Sequence, residues 1–108
     1  MSARGRVIPV RGRVYMADLG SGDKPFLVVS NNPRNTKLDD CLAVRITTSV
    51  KPDIPSIVEL GSADPLVGRI LCDNIATIYR GELKRDVGAL SATTMSEVAM
   101  ALRYALAI

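Results

Sequence analysis

The segment AVRITTS, residues 43–49, carries side chains that could act on a phosphate group. Alternate side chains of an extended strand point to opposite faces, so Arg45 and Thr47 lie on the same face. A cation beside a hydroxyl on a rigid strand can bind phosphoryl oxygens. We predict that this face, with Ala43, is open and that the other face is core, formed by Leu42, Val44, Ile46 and Thr48. A solvated strand surface without a chemical role is the alternative interpretation.

The chain contains no histidine, which narrows the chemistry available to it. Any acid or base that works near neutral pH must come from another side chain. The two cysteines, Cys41 and Cys72, stand outside any metal-binding spacing, so we predict two buried, reduced thiols rather than a disulfide or a nucleophile. We therefore expect no metal site and no cofactor.

The size and composition favour one compact domain. The chain has 108 residues, 4% of them aromatic and none of them tryptophan, so its core must be aliphatic. The net charge of +3 is compatible with a polyanionic ligand but does not require one. There is no apolar run of membrane-spanning length and no apolar leader, so a cytoplasmic protein is expected. We predict a flexible basic arm over residues 1–10 and a single domain over residues 11–108.

Hydrophobic patterning predicts short strands followed by one helix. Strands are expected at 11–19, 24–32, 43–49 and 56–60, and residues 69–79 form one bent strand or two joined ones. Within residues 24–32, residues 25–29 are apolar without a break, which favours a central strand covered on both faces. Polar residues 32–40 and the stretch from Gly81 to Gly88 are expected to be irregular connections. Residues 91–108 have helical periodicity, with Ser91 or Thr94 as the N-cap.

Six stretches of the chain together resemble the MazF/PemK toxins of bacterial toxin–antitoxin pairs. They are, in order, RGRVYMADL, KPFLVVSNNPRN, AVRITTS, ILCDNIATI, GALSATTM and the closing helix. The resemblance extends from about residue 11 to residue 106. The resemblance implies a mainly β (α+β) fold, a small, strongly bent antiparallel β-barrel with a C-terminal α-helix. It also implies a homodimeric, sequence-specific and metal-independent endoribonuclease that acts on single-stranded RNA and is silenced by a cognate MazE-like antitoxin. Such antitoxins lay an acidic tail across the RNA groove.

The catalytic pair of this family is an Arg in an Arg-Pro pair and a Thr near the end of the third strand. By motif position these fall on Lys24, which precedes Pro25, and on Thr47. Lys24 departs from the family pattern, because a lysine is a point charge on a flexible stem and cannot hold two oxygens in a planar fork. Either Arg45 supplies the missing guanidinium, or Lys24 both neutralises the phosphate and donates a proton. The general base stays open among Lys24, a relay through Thr47, and Asp18, which is also a natural cap for the first turn.

We predict further residues for RNA binding from their types and positions. Basic side chains are expected to follow the phosphates, Tyr15 to stack on an unpaired base, and polar side chains after the second strand to bind base edges. The full predicted set is Arg13, Tyr15, Ser30, Asn31, Asn32, Arg34, Lys37 and Lys51.

A non-enzymatic protein of the same fold, acting by protein contact, is the alternative function. The related plasmid toxin CcdB poisons DNA gyrase in this way and depends on a Trp-Gly-Ile ending. This chain ends in YALAI and has no tryptophan, which disfavours a gyrase poison. An interaction module that has lost its chemistry also remains possible, because of the substitution at Lys24.

Overall fold

The computed structural model describes residues 7–108, which form a six-stranded antiparallel sheet with two helices. The strands are β1 (Arg13–Asp18), β2 (Asp23–Val28), β3 (Asp40–Thr47), β4 (Ile57–Glu59), β5 (Arg69–Tyr79) and β6 (Leu83–Ala89). The helices are α1 (Asn32–Lys37) and α2 (Ala92–Leu106), and a 3₁₀ turn at Arg80–Glu82 joins β5 to β6. The strand order is β4-β5-β3-β2-β1-β6. The mainly β fold with a C-terminal helix is confirmed. Strands β4 and β6 are the two edges of the sheet and do not pair with each other in the described residues, so the predicted barrel is not closed.

The turn between β1 and β2 is held by a carboxylate. Oδ1 of Asp18 accepts hydrogen bonds from the backbone N–H of Gly20 at 2.8 Å and of Gly22 at 3.1 Å. Both glycines have positive φ angles, of 117° and 91°, which other residues rarely adopt. The two hydrogen bonds lower the pKa of Asp18. Asp18 is therefore the turn cap, and the interpretation as a general base is disfavoured.

Residues 32–37, predicted to be a loop, form the short helix α1. Asn31 is its N-cap and accepts a hydrogen bond from the backbone N–H of Arg34 at 2.8 Å, while Pro33 occupies the first turn. An asparagine two residues before a proline is a helix-start signal, and the high polarity of the segment concealed it.

Strand β5 changes its register where it passes β3. Val44 pairs with Ile75, whereas Ile46 pairs with Ile70, so Arg45 alone spans residues 71–74 of β5. Extra residues on one strand of a pair bend that strand. Of the two alternatives predicted for residues 69–79, one bent strand or two joined ones, the single bent strand is observed.

Strand β6 was predicted to be irregular, and that prediction is wrong. It pairs with β1 along its length, with Arg13 opposite Ala89 and Ala17 opposite Leu83. Of its residues only Leu83 is buried, because an edge strand covered on one side does not need regular apolar alternation. Its charged residues and Gly88 hid the strand from sequence analysis.

The sheet has apolar cores on both faces. Helix α2 covers the first core, which includes Val14, Leu27, Val44, Ile46, Ile70, Cys72 and Val98. The second core, on the opposite face, consists of Tyr15, Ala17, Phe26, Val28, Cys41, Ala43, Ile78 and Leu83. Strand β2 therefore contributes to both cores, as the prediction of a central strand covered on both faces required.

The two-sided burial corrects the prediction for β3. Val44 and Ile46 are buried as expected, but Ala43, predicted to be open, is fully buried in the second core. Leu42 is half-buried and Thr48 is exposed, although both were predicted to be core. Side chains of β3 do alternate between the two faces of the sheet. Both faces are covered, however, because the bent sheet has two cores and not one.

Both cysteines are free and buried, as predicted. Desolvation raises the pKa of Cys41 to about 11 and that of Cys72 to about 12. Each cysteine lies in a different core, so they pack as small apolar side chains.

Helix α2 begins at Ser91, whose side chain accepts a hydrogen bond from the backbone N–H of Thr94. Its buried residues are Thr94, Val98 and Ala101. Neither this helix nor α1 has the length and apolar run that a membrane crossing requires, within residues 7–108.

Two contacts hold the chain just before β1. Pro9 is fully buried, and the backbone N–H of Val10 donates to the hydroxyl oxygen of Tyr15 at 3.2 Å. The division into an arm over residues 1–10 and a domain over residues 11–108 stays a prediction, and residues 1–6 of that arm lie outside the described residues.

Asp64 ties the loop between β4 and β5 to the start of α2. One of its carboxylate oxygens accepts from the backbone N–H of Ser91 at 2.8 Å, and the other accepts from the Thr94 hydroxyl at 2.6 Å and from the N–H of Gly61 at 2.7 Å. Burial alone would raise the pKa of Asp64, but these hydrogen bonds outweigh it and lower the pKa.

We expect Asp64→Asn to destabilise the fold by about 1–2 kcal/mol at neutral pH, the usual size for hydrogen bonds to a charged group. Because the folded-state pKa is depressed, this stabilisation is complete above the unfolded-state pKa of about 3.9 and is lost as pH falls through the folded-state value. Urea unfolding between pH 7 and pH 3 measures it. The exposed Asp39→Asn variant is the control, and a difference that persists unchanged at pH 3 would contradict the assignment.

Candidate active site

The three residues predicted to be catalytic line a single pocket. Its volume is about 290 Å³, and it lies where the start of β2 meets the end of β3. The lining residues are Lys24, Pro25, Arg45, Ile46, Thr47, Thr48, Ser49 and Val67. Two cationic side chains and three hydroxyls thus converge on one small, mainly polar cavity.

The pocket continues the face of the sheet that carries the second core. Lys24 shares its strand face with Phe26, and Arg45 and Thr47 share theirs with Ala43. Phe26 is paired with Arg45, and the same register, carried outward by two residue pairs, sets Lys24 opposite Thr47. Apolar side chains thus give way to polar ones on both strands at the same level of the sheet.

Pro25 explains why the two strands separate at the pocket. Pairing between β2 and β3 ends at Phe26, one residue short of Pro25, whereas β2 stays paired with β1 as far as Asp23. A proline has no backbone N–H to donate to a neighbouring strand. Lys24 and Thr47 therefore face each other across an open cleft instead of across a hydrogen-bonded ladder.

Backbone contacts fix the hydroxyl of Thr47. Its Oγ1 accepts a hydrogen bond from the backbone N–H of Ser49 at 3.1 Å, which leaves the hydroxyl hydrogen free to donate into the pocket. On the other side, Gly68 packs directly on the Thr47 backbone. A Cβ placed on Gly68 would lie 2.6 Å from the Thr47 carbonyl oxygen, and the φ angle of Gly68 is +133°. The end of β3 is thus held between two tight backbone contacts.

Arg45 is half-buried with part of its charge unpaired. Its Nε is buried and has no hydrogen-bond partner among the described residues. The bulge of β5 opposite Arg45 leaves this position without a regular cross-strand neighbour on that side. A buried guanidinium N–H without an acceptor costs free energy, which an anion in the pocket would recover.

Neither Lys24 nor Arg45 takes part in an ion pair within residues 7–108. The carboxylate nearest to Lys24 in sequence, Asp23, is instead bound to Lys84 at 2.7 Å. Both pocket cations are therefore available to an anionic ligand.

Two of the predicted RNA-binding residues are buried, and those predictions are wrong. Tyr15 is 1% exposed in the second core, so it offers no ring face to a base. Ser30 is 7% exposed, and its hydroxyl donates to Oδ1 of Asn35 and accepts from the backbone N–H of Leu42. Sequence analysis took both side chains as surface groups because it placed only one core.

Four other predicted residues lie at the opposite end of the strands from the pocket. Asn31 caps α1, Asn32 accepts from the backbone N–H of Arg11, and Arg34 is bound to Asp40 at 2.8 Å. Lys37 is exposed in the last turn of α1. Asp40 and Thr47 are the two ends of β3, and seven strand steps of about 3.3 Å separate them by about 23 Å. These residues are not part of the pocket.

The two remaining predicted residues do not line this pocket either. Arg13, in β1, is ion-paired with Asp86 at 2.8 Å, an exposed pair that is readily exchanged for another partner. Lys51 is exposed in the loop after β3. Sequence analysis missed Val67 and Gly68, which border the site, because nothing but their position in the fold brings them to Thr47.

No group of three or more histidine, cysteine, aspartate or glutamate side chains in residues 7–108 could hold a metal ion.

Comparison with known proteins identifies the family. The model of the PemK-like, MazF-like toxins of type II toxin–antitoxin systems matches residues 10–106. The chain belongs to this family. Endoribonuclease MazF4 of Mycobacterium tuberculosis is 45% identical over 100 residues, which are 93% of this chain and 94% of the relative.

Solved structures of MazF toxins share the fold. An endoribonuclease from a mycobacterial species, in complex with its cognate antitoxin, matches with a TM-score of 0.90 and 45% identity, over 93% of this chain and 96% of that one. A MazE–MazF complex from Deinococcus radiodurans has a TM-score of 0.81 at 21% identity, over 94% of this chain and 98% of that one, which shows the fold alone. The family assignment predicted from the six sequence stretches is confirmed.

We expect Gly68→Ala to destabilise this MazF-family protein by about 2 kcal/mol or more. The new methyl group would collide with the Thr47 carbonyl, and alanine rarely adopts the φ angle of Gly68. Urea unfolding measures the loss. Gly61→Ala is the matched control, because its Cβ would meet only Oδ2 of Asp64 at an ordinary 3.6 Å. Equal stabilities of the two variants would show that the backbone of β3 can shift at Thr47 without loss of stability.

Proposed function

We propose that the pocket between β2 and β3 cleaves single-stranded RNA by attack of a ribose 2′-hydroxyl on the adjacent phosphorus. The observation that carries this proposal is the convergence of Lys24, Arg45 and Thr47 on one pocket in which neither cation is ion-paired within residues 7–108. A polyanion that passes over the pocket would meet two positive charges and a fixed hydroxyl donor.

The chain is an endoribonuclease toxin of a type II toxin–antitoxin system. The endoribonucleases to which it is 45% identical align with it over 94% of their length. Its inhibitor is a cognate antitoxin, as in the complex of the 45% identical mycobacterial endoribonuclease, and we propose that this antitoxin is of the MazE type. We propose further that the toxin works as a homodimer in the cytoplasm, where cleavage of RNA stops translation and growth.

The proposed reaction exchanges one phosphorus–oxygen bond for another. The 2′-oxygen forms a bond to phosphorus and loses its proton, and the bond from phosphorus to the 5′-oxygen breaks as that oxygen gains a proton. The products are a 2′,3′-cyclic phosphate and a 5′-hydroxyl end, and the reaction consumes no water. The protein must therefore align the groups, stabilise the added negative charge and transfer protons, and no step of this scheme uses a metal ion.

Each pocket residue has a distinct role in this scheme. The Thr47 hydroxyl donates to a non-bridging phosphoryl oxygen, because its own oxygen is already occupied as the acceptor of the Ser49 N–H. Arg45 binds the phosphate through N–H groups, including the buried Nε that lacks a partner in the described residues. Lys24, in its protonated form, is placed to donate to the leaving 5′-oxygen.

Because a lysine stands where the family has an arginine, phosphate binding and proton transfer are carried out by two different residues. Arg45 provides the planar guanidinium that can bind two oxygens, and Lys24 provides a mobile point charge that can release a proton. The pocket lining contains no carboxylate, and a protonated Lys24 cannot accept a proton, so the proton of the 2′-hydroxyl must leave through Thr47 or to solvent.

We expect Thr47→Ala, Lys24→Ala and Arg45→Ala each to slow cleavage of a single-stranded RNA by about 100-fold or more, since each removes a donor to the developing charge. Cleavage is measured with excess EDTA, and product ends are identified as cyclic phosphate and 5′-hydroxyl. Thr77→Ala, at an exposed threonine of β5 that does not line this pocket, is the control and should cut at close to the wild-type rate.

The same assay tests the competing interpretations. Circular dichroism spectra and unfolding midpoints of the variants should match those of the wild type, so that loss of folding does not explain loss of activity. If Thr47→Ala and Lys24→Ala cut at the wild-type rate, the pocket is not the site of cleavage. Absence of cleavage by the wild-type protein itself would favour a non-enzymatic toxin that acts by protein contact.

Binding should weaken steeply with salt, because contacts to phosphates release counterions. Two phosphate contacts on a single strand, made by Lys24 and Arg45, give a slope of log K against log salt of about −1.4. That slope corresponds to a loss of about sevenfold between 50 and 200 mM salt. Fluorescence anisotropy of a labelled oligonucleotide with the Thr47→Ala variant measures it without cleavage. A flat response would exclude recognition of the RNA backbone.

A further inference from the structure

A second pocket adjoins the first and is unused by the proposed reaction. Its volume is about 270 Å³, and it is lined by Lys51, Pro52, Asp53, Ile57, Glu59 and Arg69. Its floor is the start of β5 and the short edge strand β4, and the loop that follows β3 forms its wall.

Arg69 connects the two pockets. It is paired with Thr47 across β3 and β5, so the two residues are about one strand spacing of 4.8 Å apart. Its guanidinium lies 3.5 Å from the carbonyl oxygen of Ser49, the residue whose N–H holds the Thr47 hydroxyl. A nucleotide chain with its scissile phosphate at Thr47 would therefore place a neighbouring nucleotide over the second pocket.

The lining groups fit a nucleobase better than a phosphate. Ile57 and Pro52 offer apolar surface to a ring face, and Arg69 and Lys51 offer donors. The pocket also contains the carboxylates of Glu59 and Asp53, which would repel a phosphate but accept hydrogen bonds from amino groups. Apolar surface, donors and acceptors in one cavity are what recognition of an unpaired base requires.

Glu59 is the better placed of the two carboxylates. It lies on β4 directly opposite Arg69, and its Oε2 is 3.2 Å from the Arg69 guanidinium. Its side chain is 73% exposed, so most of the carboxylate is accessible to a ligand. Asp53, by contrast, lies in the loop between β3 and β4, outside any strand.

We propose that this second pocket, resting on the function proposed above, is a specificity subsite in which Glu59 accepts a hydrogen bond from the exocyclic amino group of a base next to the cleaved bond. Cytosine carries such a group at N4, whereas uracil has a carbonyl oxygen at the same place and would face the carboxylate with a second acceptor. The subsite therefore prefers cytosine to uracil at one position.

The test uses oligonucleotides with one cleavage site, first located by mapping 5′-hydroxyl ends from a random RNA pool. At each flanking position, cytosine and uracil are exchanged and kcat/KM is measured for the wild type and for Glu59→Gln. We expect the wild type to prefer cytosine by about tenfold at one position. Glu59→Gln should reduce that ratio to less than threefold there and leave the ratios at other positions unchanged. Glu97→Gln, an exposed glutamate on α2 that does not line this pocket, should retain every wild-type ratio.

Each outcome decides one question. Equal rates for cytosine and uracil at every flanking position, or an unchanged ratio in Glu59→Gln, would overturn the subsite even if Thr47→Ala is inactive. If Thr47→Ala cuts at the wild-type rate, or the wild type does not cut at all, the active site itself fails and the subsite fails with it. Loss of the preference in Glu59→Gln alone supports the assignment.

Discussion

The register between β2 and β3 is the constraint on which the site depends. One cross-strand pair, Phe26 with Arg45, is the last before Pro25 ends the ladder. It fixes at once which face Lys24, Arg45 and Thr47 occupy and how far apart they lie. A slip of β3 by one residue would turn Arg45 and Thr47 to the first core and move Val44 and Ile46 to the opposite face. The large apolar area buried on both faces of β2 and β3 stabilises this register, so packing far from the pocket sets its geometry.

The pocket contains a buried cationic group without a partner among the described residues, which costs free energy of folding. Most charged side chains of β1, β2 and β6 are ion-paired, as Arg13 is with Asp86 and Lys84 is with Asp23. Arg45 instead keeps a buried Nε without a partner in residues 7–108. In the described part of the chain, the Nε of Arg80 is also buried without a partner, but the Arg80 guanidinium donates elsewhere to the carbonyl oxygen of Asn35, whereas Arg45 lines the pocket. Groups held ready for a ligand commonly reduce stability in this way.

Sequence analysis predicted the parts of the fold that depend on local patterns. The central strand, the bent β5, the closing helix and the shared face of Arg45 and Thr47 all follow from residue alternation and periodicity. It failed where burial depends on which layer covers a face. Ala43, Tyr15 and Ser30 were placed at the surface because one core was assumed, and β6 was missed because an edge strand lacks a full apolar pattern. Gly68 and Arg69 reach Thr47 only through the pairing of β3 with β5, which no local pattern encodes.

The location of one thiol in each core gives the two faces of the sheet separate chemical reporters. With pKa values of about 11 for Cys41 and about 12 for Cys72, almost none of either side chain is thiolate at neutral pH, and both are shielded from solvent. An alkylating reagent can modify them only in molecules that have opened locally or globally. The ratio of the two modification rates therefore compares how often the helix-covered face opens with how often the face that continues into the pocket does.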